Sequence, residues 1–149
     1  MSRILHTLFA CLAISLAAVA NAADTPPGAT GNPAAKQMRV VMQISENQPA
    51  VWNLALNNIR NVQHELGAKN VDVEVVAYGP GLAMLRDDSL TANRVQEAMA
   101  TGVRFVACRN TMQNQKITEA QLIPGIGYAQ AGVIEIITKQ MEGYAYLRP

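Results

Sequence analysis

MRVVMQISENQPAVWNLALNNIRNVQHELG, residues 38–67, decides the fold. Its opening, Met38–Ile44, is an apolar run rich in β-branched residues, the pattern of a strand covered on both faces. SENQ follows, and Pro49 falls where a first helical turn accepts proline. From there Trp52, Ala55, Ile59, Val62 and Leu66 recur at steps of three and four, while Asn53, Asn57, Arg60 and His64 take the other side. The spacing predicts an amphipathic helix over Pro49–Leu66, closed by Gly67. A covered strand running directly into such a helix is the start of a βαβ unit.

The rest of the chain repeats that alternation. VDVEVVAY, residues 71–78, alternates and then turns wholly apolar, which predicts a second strand broken by Gly79-Pro80-Gly81. An apolar turn at LAMLR and a helix over residues 91–100 lead to Gly102 and a third strand, VRFVAC. The polar NTMQNQKITEAQLI predicts one or two helical turns, and PGIGYAQAG a loop. GVIEIIT reads as a fourth strand, KQMEG as a last helical turn and YAYL as a short terminal strand. The expected architecture is a three-layer α/β/α fold around a mostly parallel five-stranded sheet, with flavodoxin-like layering.

Ahead of this domain the chain has the parts of a secretory signal: Arg3, an apolar run and the small-residue site Ala20-Asn21-Ala22. The expected organisation is a signal peptide over residues 1–22, a flexible Pro/Gly-rich linker over residues 23–37 and one domain over residues 38–149. The location is periplasmic, with no membrane association after cleavage. Leu8-Phe9-Ala10-Cys11 resembles a lipoprotein box, but the apolar run continues well past the cysteine, so lipidation is a secondary alternative. Formal charge is +1 with basic residues scattered, which leaves no footprint for nucleic acid or an anionic membrane.

Removal of the leader leaves Cys108 as the only cysteine, with no disulfide partner. Open parallel sheets gather reactive groups beyond the carboxyl ends of their strands, and Cys108 ends the third. The plain reading is a packed strand-end residue, since cysteine is among the most buried residue types. The chemical reading is a thiol activated by Arg109 and a following helical turn. A Cys-His pair fails, because the helix carrying His64 takes it roughly 25 Å toward the opposite edge of the sheet. A phosphatase loop fails because Asn114 stands where C-x5-R needs arginine. There is no CxxC, no GxGxxG and no GxxxxGK[ST], and Glu46 would repel a phosphate at the first strand-to-helix turn. Gly125-x-Gly127 precedes a strand and reads as a turn. The scattered methionines read as core filling.

VRFVACRNTM, together with PGIGYAQAGVIEII and the closing EGYAYLRP, resembles the DsrE/DsrF-like family of small α/β proteins. The resemblance implies a compact sheet flanked by helices that assembles as a homotrimer or homohexamer, with sulfur carried as a persulfide on Cys108. It implies a sulfur donor or acceptor protein or small thiol as partner; no cofactor or metal is expected, since His64 has no second histidine or cysteine beside it and no nucleotide motif occurs. Proximity in sequence assigns Arg109 and the backbone N–H groups of Asn110 and Thr111 to stabilising the anion, and Asn114 to orienting the donor. The alternatives are a non-enzymatic oligomeric module of the same fold that binds a small ligand or a protein, and a thiol redox sensor.

Overall fold

A computed structural model describes residues 37–149. The expected signal peptide, Cys11 and the linker up to residue 36 lie outside the described residues. Five strands, β1 (Met38–Ile44), β2 (Val71–Ala77), β3 (Arg104–Cys108), β4 (Gly127–Ala129) and β5 (Ala145–Leu147), form one wholly parallel sheet in the order β4-β3-β2-β1-β5. The helices between them are α1 (Pro49–Leu66), α2 (Ala92–Ala100), α3 (Arg109–Gln115) and α4 (Gly132–Met141). A 3-10 segment, Gly79–Leu85, follows β2.

Pairwise alternation along the strands divides the interior in two. Val40, Met42 and Ile44 on β1, Val73, Val75 and Ala77 on β2, and Phe105 and Ala107 on β3 face one side. There they pack against Trp52, Ala55, Leu56 and Ile59 of α1, Val95 of α2, Met112 of α3 and the Leu82, Met84 and Leu85 of the 3-10 segment. The expected helical stripe is therefore core. Its Trp52 also anchors the β1–α1 turn by donating its indole N–H to the Glu46 carbonyl at 2.8 Å. Val41, Val76 and Val106 face the other side, where Ile136 of α4 and Tyr144 cover them.

Two expectations are corrected. GVIEIIT is not a fourth strand: with most of KQMEG it forms helix α4. Its β-branched run reads as a strand by propensity, but propensity yields to tertiary context, and one inward residue, Ile136, suffices to seat the helix on the sheet. The helical signal lay in the charges, since Lys139 reaches Glu135 at 3.7 Å and Glu142 at 3.2 Å, one turn apart on either side. The fourth strand lies instead inside PGIGYAQAG, as the three-residue β4. Gly-Tyr-Ala has little strand character. What holds it is the backbone edge of β3, whose Val106, Ala107 and Cys108 pair with Gly127, Tyr128 and Ala129.

Beneath the C-terminal half of α4 lies a charged cluster. Arg104 bridges Asp72, which it contacts directly, and Glu74, reached from Nη2 at 3.1 Å; the Tyr144 hydroxyl donates to Asp72 at 2.6 Å. Glu74 is 3 % exposed, and its Oε1 has no hydrogen-bond partner.

Candidate functional site at the end of β3

The chain steps outward from β1 to β4 with its crossovers on one face, then returns past β1 to reach β5. Crossovers of parallel strands keep one hand, so reversing direction moves the connecting helix to the opposite face. Accordingly α3 sends Met112 into the core shared with α1, whereas α4 sends Ile136 into the core of the other face. The segments leaving the neighbouring strand ends at Cys108 and Ala129 diverge to opposite sides of the sheet. Ligands of open α/β sheets bind in the crevice that such a reversal creates.

Cys108 stands at that reversal. It is the last residue of β3 and the N-cap of α3, and it is 5 % exposed. The two diverging segments are tied together beside it: Asn110 donates its backbone N–H to the Gln130 carbonyl at 3.1 Å, and Gln130 Nε2 donates to Asn110 Oδ1 at 2.8 Å. Gly132 starts α4 directly against the thiol. A Cβ there would stand 3.3 Å from Cys108 Cβ, 3.0 Å from Tyr78 Cβ and 3.2 Å from Tyr78 Cδ1, so glycine lets the first turn of α4 lie closer by a few tenths of an ångström than a side chain would allow. Tyr78, the residue after β2, forms the third wall.

Burial pushes the Cys108 thiol up. The Thr111 hydroxyl and the N–H groups of Gly132, Thr111 and Asn110 act the other way and prevail, holding the thiol below its ordinary value. Among the described residues, no three His, Cys, Asp or Glu side chains converge as a metal-binding set.

The residues singled out in the sequence separate into two groups. Asn110 and Thr111 lie against Cys108. Arg109 turns elsewhere: its Nη1 bonds Glu119 at 2.9 Å and its guanidinium stacks 4.4 Å from the centre of the Tyr128 ring. Asn114 lies on the exposed side of α3. His64 is a surface residue beside Glu65 at 3.1 Å. Glu46 is paired with Arg148, which holds its carboxyl below the usual range. Sequence reasoning missed Gly132, and it placed Tyr78 at a strand end on the same edge without giving it a role. The one signal for Tyr78 was an aromatic residue directly before Gly-Pro-Gly, and Gly132 was hidden by the strand reading of the segment it opens.

Residues 28–149 match the model of the DsrE/DsrF-like family. No curated protein matches the chain. Among solved structures, the protein of unknown function MTH1491 from Methanobacterium thermoautotrophicum is 38 % identical with a TM-score of 0.72, over 75 % of this chain and 99 % of that one. The ychN protein from E. coli, at 14 % identity, and BT1422 of unknown function from Bacteroides thetaiotaomicron, at 15 %, both reach a TM-score of 0.62. They cover 76 % and 78 % of this chain and 99 % and 98 % of their own, and at that identity they share the fold alone. With the family model matched across residues 28–149 and a 38 % identical structure of the same fold, the chain belongs to the DsrE/DsrF-like family.

Proposed function

We propose that the protein is a sulfur carrier or sulfurtransferase that holds sulfane sulfur as a persulfide on Cys108. The observation that carries this reading is the position of the thiol at the reversal between β3 and β4, ringed by hydrogen-bond donors that favour its anion. The Cys108 thiolate attacks the sulfane sulfur of a polysulfide or thiosulfate. A new S–S bond forms, the donor's S–S bond breaks, and a thiolate or sulfite departs with the electron pair. An acceptor thiolate then attacks the outer sulfur, and Cys108 leaves as the thiolate, so the cycle needs no added oxidant or reductant. The reading includes export to the periplasm and assembly as a homotrimer or homohexamer. Support for assembly comes from the outer side of α4, where Val133, Ile134, Ile137 and Met141 are exposed along one apolar stripe that a second copy would cover.

A second reading, a binding module in which Cys108 is only packed, is favoured by the 5 % exposure of that residue. One experiment separates the two. The native protein is incubated with a polysulfide or thiosulfate, trapped with an alkylating agent and digested, and the Cys108 peptide is weighed, with Cys108→Ala as control. The carrier reading expects the mass of one added sulfur. A thiol that resists alkylation until the protein unfolds, and gains no sulfur, assigns Cys108 to packing.

A further inference from the structure

Strand β4 pairs with β3 only from Val106 onward, so Arg104 and Phe105 extend beyond it at the edge of the sheet. The chain beside them does not fill the gap, because Gly125 and Gly127 bring no side chains to it. A cavity of about 350 Å³ results, with Met99 and Phe105 among its apolar walls. That volume lies at the lower end of the range for small-molecule sites.

Glu74 also lines this cavity. It belongs to β2, one strand further in, so only its side chain reaches the gap. The residue is 3 % exposed, its Oε2 is shared by Arg104 Nη2 at 3.1 Å and Lys139 Nζ at 3.8 Å, and its Oε1 has no hydrogen-bond partner among the described residues. A buried carboxylate oxygen without a donor is costly, so such an atom calls for a partner. The nearby cations are already engaged. Arg104 also holds Asp72, and Lys139 also holds Glu135 at 3.7 Å and Glu142 at 3.2 Å, so two cations serve four carboxylates. Arg39 lies against the Tyr144 ring, 5.1 Å from its centre. The cluster therefore keeps an excess of negative charge.

We propose that this cavity binds a small organic ammonium, its N–H groups donating to Glu74 Oε1 and its carbon chain lying against Met99 and Phe105. Such a ligand supplies both what the oxygen lacks, a donor, and what the cluster lacks, positive charge. A neutral donor supplies only the first, and water leaves the apolar walls wet. An anion would be repelled by the same carboxylate. The site lies at the opposite end of β3 from Cys108, and the inference does not rest on the persulfide reading.

The test is a titration of the whole protein, labelled at its methionine methyls and backbone amides, with n-butylammonium at a pH where Glu74 is ionised. The Met99 methyl and the Gly127 amide should shift together and saturate, with a Kd of about 1 mM for so small a ligand. Replacing it with n-butanol, which keeps the chain and loses the charge, should weaken binding by about tenfold. Glu74→Gln should weaken butylammonium by a similar factor. Equal affinity for butanol and butylammonium in the wild type, or wild-type affinity in Glu74→Gln, overturns the inference. So does the absence of any saturable shift, which leaves Oε1 to water. Should Glu74→Gln fail to fold, the wild-type comparison of the two ligands decides alone.

Discussion

Gly132→Ala tests the packing that brings two strand ends and a helix start onto the thiol. The new methyl would stand 3.0 Å and 3.2 Å from Tyr78 Cβ and Cδ1 and 3.3 Å from Cys108 Cβ. Two of those atoms are Cβ carbons fixed to the ends of β2 and β3, not tips of flexible side chains, so α4 and the strand ends part by a few tenths of an ångström. Overpacking of a tight site costs about 1–3 kcal/mol, and glycine to alanine in a helix returns at most about 1 kcal/mol. With the full return, the net expectation is a loss of up to about 2 kcal/mol, or a melting temperature lower by up to about 8 °C for a domain of this size. The same shift withdraws the Gly132 N–H from Cys108, which raises the pH at which the thiol alkylates. Urea unfolding and a pH series of alkylation measure both on one preparation. A variant as stable as wild type, with an unchanged alkylation midpoint, would refute the claim that α4 starts in contact with the thiol.

Three further outcomes follow from the same geometry. Arg109→Gln should leave the alkylation midpoint of Cys108 close to wild type, because the guanidinium is engaged by Glu119 and Tyr128; a clear rise would show that it acts on the sulfur after all. Burial raises the Glu74 carboxyl, although Arg104 and Lys139 oppose it, so the folded state keeps this proton where the unfolded chain releases it. The stability Glu74 contributes is then full below the ordinary value of 4.5 and declines as pH rises through the folded value. Glu74→Gln should gain on wild type in melting temperature as pH rises through that window, and a difference that does not vary with pH counts against it. Finally, the proposed assembly through α4 expects a wild-type oligomer in light scattering that Ile134→Asp with Ile137→Asp reduces to monomers without lowering the helical circular dichroism; a monomeric wild type, or a mass unchanged by the pair, counts against it.

Legibility in the sequence tracked how much each segment's burial dictates its composition. Strands β1 to β3 are covered on both faces and α1 on one, so their periodicities show directly in MRVVMQI, VDVEVVA, RFVAC and the Trp52–Leu66 stripe. Segment 124–143 is governed by less. Strand β4 is held by backbone pairing to β3, and α4 by Ile136 alone among its large side chains, while its remaining apolar residues face outward and imitate a strand. The site divides in the same way. Cys108 was legible because a cysteine closing an apolar run marks a strand end. Arg109 was misleading because adjacency in sequence says nothing of direction: at the first position of α3 its side chain leaves toward Glu119 and Tyr128. Gly132 acts through backbone position, which a sequence shows only once the elements around it are placed.

The placement of α4 serves two requirements at once. The face carrying Val41, Val76 and Val106 needs a cover, and the return of the chain from β4 to β5 supplies it, because a crossover of fixed hand must pass over that face when the direction reverses. The same reversal puts the start of α4, Gly132, beside Cys108 at the end of β3, where α3 also begins. A thiol at the end of β2 would sit between neighbouring strands whose helices both leave on one side, and would meet the start of a single helix. Of the strand ends, that of β3 lies where successive helices part to opposite faces, and Gly132 permits the second to come within van der Waals reach of Cys108. The location of the cysteine is thus a consequence of topology, while the lowering of its thiol comes from neighbouring groups of α3 and α4 that outweigh burial.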